Sequence, residues 1–288
     1  MSRASNSAYD RHITIFSPEG KLFQLGTLCA LSRQRSAEYA LKAVKNSNLT
    51  GLAIKDDNAI AVVSQKKLSA QQGNQDVLLD QSCVTHLYHI TDEIMALLIG
   101  FPGDCASILS KSREIALEYQ YKYGCNIPAN VLCEKIADIN QVYTQHAYMR
   151  LRACTGLIMA IDEERGPVIY KFDASGWFSG YKACGIGAKD HESENALERI
   201  MKQRETISLK ERVKSDLEVN TETHHLNGGL ETSVTVEALK AMIAIDAFNQ
   251  LNGAKGIEVA VCTRDSPMFR QLSEQEIETY LTHIAESD

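Results

Sequence analysis

The sequence predicts an α+β protein in which antiparallel sheets stack face to face with helices outside. The order of periodicities along the chain points there first: strands, then two helices, then strands again, then helices. The second pointer is the joining of alternating apolar runs by short polar turns, which is how hairpins read. A third is bulk. The chain has 288 residues, 44% of them hydrophobic, which is enough for one substantial core. No Pro/Gly-rich linker and no internal repeat divides it, so one sandwich domain is expected.

Residues 50–55 and 59–64 alternate apolar and polar, and Asp56-Asp57-Asn58 supplies the turn between them. Residues 83–90 and 93–99 read as two more strands. The period then changes: Ile108, Leu109, Ile115, Ala116, Tyr119 and Tyr123 make a helical stripe within 106–123, which Gly124 stops. Pro128 opens a second helix with Val131, Leu132, Ile136, Ile139, Val142 and Tyr143 on one side. Strands return at 155–161, 168–172, 176–179 and 182–186, with turn signals at 164–167 and at Ala174-Ser175. Helices are expected at 190–203 and 236–249, and a strong strand at 256–262. An amphipathic helix over 273–285 closes the series, with Ser273 and Glu276 in the spacing of a capping box.

Composition excludes several functions. The net charge is −7 and no long Lys/Arg run occurs, which argues against a phosphate-backbone binder. The stretch 202–214 is basic but carries Glu205 and Glu211, and so reads as a solvated face. The longest apolar run, 94–99, is too short to span a membrane. Asp10, Arg11 and His12 interrupt any secretory leader. The eight cysteines form no CxxC and scatter over apolar stretches, the pattern of buried thiols in a reducing compartment. Gly185-Ile186-Gly187 lies between a strand and a helix but lacks the third glycine of a dinucleotide fingerprint, so it reads as a turn. His224-His225 sits in a polar stretch that reads as a loop rather than a metal site. No GxSxG or HExxH occurs, and neither a metal nor a cofactor is expected.

The stretch 9–24, YDRHITIFSPEGKLFQ, resembles the signature that opens the α subunits of the 20S proteasome. Its usual continuation, Glu38-Tyr39-Ala40 followed by Lys42-Ala43-Val44, stands farther on. Further matches are Val84-Thr85-His86-Leu87, Tyr121-Lys122-Tyr123-Gly124, Ala137-Asp138-Ile139-Asn140-Gln141-Val142-Tyr143-Thr144-Gln145, Ile161-Asp162-Glu163-Glu164 and Gly166-Pro167. The likeness spans most of residues 8–285.

The resemblance implies a four-layer αββα sandwich, the N-terminal nucleophile hydrolase-like fold. The catalytic relatives use a threonine that must be residue one, because its own free amine helps move the proton. Alignment places Leu49 at that nucleophile position, Gln65 at the position of the assisting Asp and His86 at that of the Lys. All three are lost, and a non-catalytic subunit is expected. The alternative is an N-terminal-nucleophile hydrolase exposed by processing before Thr50. In this family the segment ahead of the body gates the axial pore through a Tyr, an Asp, a Pro and a second Tyr. These correspond to Tyr9, Asp10, Pro18 and Tyr39. Pockets between neighbouring α subunits take up activator C-terminal tails through a lysine, whose position is occupied here by His86. A neutral imidazole holds a carboxylate more weakly than an ammonium does. The implied partners are neighbouring α subunits, β subunits of the adjacent ring and activator tails, in cytoplasm and nucleus, with no nucleic acid and no membrane.

Departures from the family pattern divide the chain further. Residues 1–24 form the gate segment and the start of the first helix. Residues 25–37 stand where the family has a single residue inside that helix. They are either a genuine lineage feature or a short intron carried into the coding frame, and the second reading is preferred because they split the unit without adding an obvious structure. Residues 38–288 form the sandwich domain. Polar expansions fall at 68–77 and about 205–231. The family's Arg-Pro turn is Arg150-Leu151 here.

Overall fold

The computed structural model describes residues 33–66, 83–145, 150–215, 230–245 and 253–287. The hairpin expected from Asp56-Asp57-Asn58 forms between Thr50–Lys55 (β1) and Ala59–Gln65 (β2), paired from Gly51 with Ser64 to Lys55 with Ile60. Around it the first sheet is completed by Ala183–Gly187 (β8), Ile257–Thr263 (β9) and Ser266–Gln271 (β10), in the order β10-β9-β2-β1-β8. The second sheet holds Leu87–His89 (β3), Ile94–Gly100 (β4), Cys154–Asp162 (β5), Gly166–Phe172 (β6) and Phe178–Tyr181 (β7), in simple chain order. Every pairing in both sheets is antiparallel.

Period-two alternation decides which face each side chain joins. On β4, Met95, Leu97 and Ile99 enter the core between the sheets, with Ala53, Ile60 and Val62 of the first sheet. Ile94, Ala96 and Leu98 turn the other way. They meet Ile108 and Ile115 of Pro102–Tyr123 (α2), and Leu132 and Ile136 of Ala129–Gln145 (α3). Leu52, Ile54, Ala61 and Val63 pack outward against Asp190–Ser215 (α4), Leu230–Ile243 (α5) and Glu274–Ser287 (α6). Helix, sheet, sheet, helix is therefore the layer order, and the αββα expectation is met. Arg33–Lys45 (α1) lies against the inter-sheet core through Ala40 and Val44.

Helix ends follow local chemistry. Phe101 is extended and Pro102 opens α2, four residues before the apolar stripe begins, because a first-turn proline loses no needed hydrogen bond. Gly124 takes φ 73° and its amide donates to the Gln120 carbonyl at 2.8 Å, which ends the helix. Ser273 and Glu276 form the expected capping box at α6. The Ser273 amide donates to Glu276 Oε2 at 2.8 Å, and the Glu276 amide reaches Ser273 Oγ at 3.4 Å.

Four elements depart from the sequence expectation. The strand over 83–90 shrinks to β3: the His86 carbonyl still accepts the Leu98 amide at 3.1 Å, but the His86 backbone N–H goes to Glu258 instead of β4. Helix α4 runs on to Ser215 and so includes the whole of the basic 202–214 stretch. Helix α5 begins at Leu230 and ends at Ile243, earlier at both ends than 236–249. Strand β10 was not foreseen. It is an edge strand in which only Phe269 is buried, so no alternation marks it.

Candidate functional site

The three positions aligned with a catalytic centre gather at one end of the sandwich, where β1 begins, β2 ends and β3 is about to start. Leu49 is 7% exposed and its side chain belongs to the inter-sheet core. Its carbonyl accepts the Ala188 amide at 2.8 Å, which fixes the chain as it enters β1. Thr50 is buried, and its backbone N–H donates to Gln65 Oε1 at 2.9 Å. Gln65, at the aligned Asp position, is thus a neutral acceptor for a peptide amide. The Leu49 side chain offers no heteroatom, and the Thr50 nitrogen lies inside a peptide bond, so among the described residues this end has no nucleophile with a free amine beside it.

His86 is half-buried beside this end. Its backbone N–H donates to Glu258 Oε2 at 3.2 Å, and Thr85 Oγ1 donates to the same oxygen at 2.8 Å. Glu258 stands on β9, opposite Ser64 of β2, so one carboxylate clamps the segment before β3 onto the other sheet. Burial pushes the Glu258 carboxyl above the usual range, against the donors from Thr85, His86 and Leu87 and the Lys66 charge. Its Oε1 is buried with no hydrogen-bond partner among the described residues. Burial, with the Lys66 ammonium adding to it, holds the His86 imidazole below its ordinary value. His86 is therefore neutral at pH 7, and the charges beside it are Lys66 and Glu258. Sequence reading passed over Glu258, although its place was marked. It falls in step with Ala260 and Cys262, on the face of β9 that points between the sheets.

Of the four proposed gate residues, only Tyr39 is among the described residues. It lies on α1, partly buried against the inter-sheet core. Tyr9, Asp10 and Pro18 lie outside the described residues, as do His224-His225, residues 25–32 of the insertion and residues 67–82. The rest of the insertion, 33–37, is helical and forms the start of α1.

The glycines between β8 and α4 are consumed by packing. A Cβ on Gly187, which has φ 107°, would lie 2.0 Å from the Leu49 carbonyl oxygen. One on Gly185 would lie 1.9 Å from Ser193 Oγ. Close approach of β8 to β1 and α4 accounts for both, in keeping with a strand-to-helix turn.

At Arg150-Leu151, Arg150 forks onto Asp104, with Nη1 to Oδ2 at 2.5 Å and Nη2 to Oδ1 at 2.6 Å. The Ala153 amide also donates to Asp104 Oδ2, at 2.8 Å. This buried carboxylate locks the first turn of α2 to the segment that enters β5.

Sequence comparison adds an independent line. The family described as Proteasome subunit matches residues 44–225, and the N-terminal signature of A-type proteasome subunits matches residues 9–25. The chain is similar to the alpha type-6 proteasome subunit of Caenorhabditis elegans, at 31% identity over 288 residues with 100% of both chains covered. It is 35% identical over 288 residues to the probable alpha type-1 proteasome subunit of Schizosaccharomyces pombe, again with 100% of both covered. The alpha proteasome subunit of Pyrococcus horikoshii is 27% identical over 278 residues, covering 96% of this chain and 88% of the relative.

Proposed function

The chain belongs to the family of proteasome α subunits, and from that premise we propose that it serves as a non-catalytic subunit in the α ring of a 20S core particle, at the α1 position. The start of β1 carries this reading. Leu49 fills the nucleophile position with a core side chain, and the nitrogen of Thr50 is bound as an amide to Gln65. Proteolysis then belongs to β subunits of the adjacent ring. This chain supplies part of the ring wall, part of the axial gate and part of the surface on which activators dock. Exposed apolar groups on the outer helices suit a subunit that packs against others. Tyr121 is 95% exposed on α2, and Leu117, Tyr123 and Val142 are also open on α2 and α3.

In this reading Tyr9, Asp10, Pro18 and Tyr39 form the gate cluster. A phenol and a carboxylate ahead of a proline-fixed turn can exchange hydrogen bonds between subunits as the pore opens. His86 lines a tail-binding pocket shared with a neighbouring α subunit. The particle works in cytoplasm and nucleus, in ubiquitin-dependent and ubiquitin-independent degradation.

Native gel electrophoresis followed by mass spectrometry tests the assembly. The chain is expected to migrate with the other α and β chain types in one very large particle, with residues before Leu49 still attached. A monomer, or a mature chain beginning at Thr50, would overturn the reading and favour a free-standing protein or a hydrolase.

A further inference from the structure

Two buried thiols meet where α2 begins and β5 begins. Cys105 Sγ lies 3.2 Å from Cys154 Sγ, close enough for one thiol to donate to the other. Cys105 belongs to the first turn of α2 and is 7% exposed, while Cys154, the first residue of β5, is 0% exposed. The backbone around them is firmly held. Asp104, next to Cys105, binds Arg150 and the amide of Ala153, the residue before Cys154. Cys154 in turn pairs with Gly100 across the β4–β5 ladder. The two sulfurs must approach by only about 1.2 Å to reach the disulfide length of about 2.04 Å. The other described cysteines are placed differently: Cys83 and Cys125 are exposed, and Cys133, Cys184 and Cys262 are buried.

We propose that Cys105 and Cys154 form an oxidisable pair, at which a hydroperoxide closes a disulfide between the first turn of α2 and the start of β5. Cys105 is the more exposed residue of the two, so it reacts first. The hydroperoxide transfers one oxygen to the Cys105 sulfur and departs as the alcohol, leaving a sulfenic acid. The Cys154 sulfur then attacks the Cys105 sulfur, the S–O bond breaks, and the departing hydroxyl leaves as water with the Cys154 proton. The two thiols give up two electrons and the hydroperoxide takes them. Burial pushes the Cys154 thiol well above its ordinary range, so its proton leaves only as the S–S bond forms. The product staples an outer helix to the sheet beneath it without moving the Asp104–Arg150 contact.

The full-length chain, in the assembly from which it is isolated, is treated with tert-butyl hydroperoxide. It is then blocked with N-ethylmaleimide, denatured and digested without reductant. Mass spectrometry is expected to find a peptide joining Cys105 to Cys154 that separates on reduction. In Cys154→Ser, Cys105 is expected to run on to the sulfinic acid, having lost the thiol that intercepts it. If the oxidised wild-type chain yields both cysteines as free thiols, or Cys105 as sulfinic acid with no joined peptide, the proposal falls. The wild-type measurement decides this whether or not the variant folds.

Discussion

At the scale of single residues, Glu258 shows how a charge can sit in the seam of a sandwich and still be tolerated. Its carboxylate takes donors from Thr85 and His86, but burial outweighs them and raises its folded-state pKa. The consequence for stability has a definite sign. A carboxyl raised above its unfolded value contributes stability that is fully present below about 4.3, the unfolded value, and lost as pH rises through the folded one. Glutamine at this position has no such loss, and its carbonyl can still accept from Thr85 and His86. Paired thermal melts of the wild-type chain and Glu258→Gln between pH 4.5 and 7.5 are therefore expected to diverge, the variant gaining on the wild type as pH rises. A gap that stays constant or closes would show that Lys66 and the donors outweigh burial.

At the scale of elements, the hairpin β1–β2, helices α2 and α3 and the capping box of α6 were all legible in the sequence. Turn residues, stripes and caps act locally, and each element carries its own signal. What escaped was decided by neighbours far along the chain. Strand β10 exists because β9 offers an edge, and its own side chains are mostly in water. At the start of β3, Glu258, more than 170 residues away, captures the His86 backbone N–H that would otherwise face β4. At the end where β1 begins, the apolar Leu49 was legible in the sequence, whereas the clamp from Glu258 needed the fold. Helix α1 raises the sharpest question about an element. Its first residues, Arg33-Gln34-Arg35-Ser36, belong to the 25–37 insertion and are all polar in sequence, while Ala37 is partly buried and Ala40 buried against the core. Without the insertion, Lys21-Leu22-Phe23-Gln24 would occupy that turn and bring Leu22 and Phe23 to it. An apolar pair there extends the stripe that α1 lays on the core, which favours a mature chain lacking the insertion. Peptide mapping of the native subunit is expected to yield a peptide crossing directly from Gln24 toward Glu38. Any peptide containing Arg33 or Arg35 would establish that the polar turn is real.

At the scale of the whole molecule, the proposed tail-binding pocket at His86 turns one end of the sandwich into a question of docking. A tail carboxylate that enters a pocket bearing lysine gains a charge-assisted hydrogen bond worth about 1.5–3 kcal/mol, whereas a neutral donor gives about 0.5–1.5 kcal/mol. His86 is neutral at pH 7 because burial and, after it, Lys66 disfavour its cation. A neutral imidazole lacks the charge of lysine, so the proposed pocket is expected to be a poor carboxylate site among its siblings. With about 1.4 kcal/mol per factor of ten, removing the lysine of a sibling pocket should weaken activator binding about 10- to 150-fold. His86→Ala should cost about 2- to 12-fold, and His86→Lys should tighten binding. Acidification works in the same direction as His86→Lys: as pH falls through the depressed value the imidazole gains charge, so the difference between His86 and lysine narrows. Activator affinity measured on assembled particles carrying each substitution, at pH 7.5 and again near pH 5.5, separates these outcomes. Equal losses from His86→Ala and from the sibling lysine-to-alanine change would mean that the His86 pocket binds tails as strongly as the others, and that charge at this position does not set which pockets an activator fills.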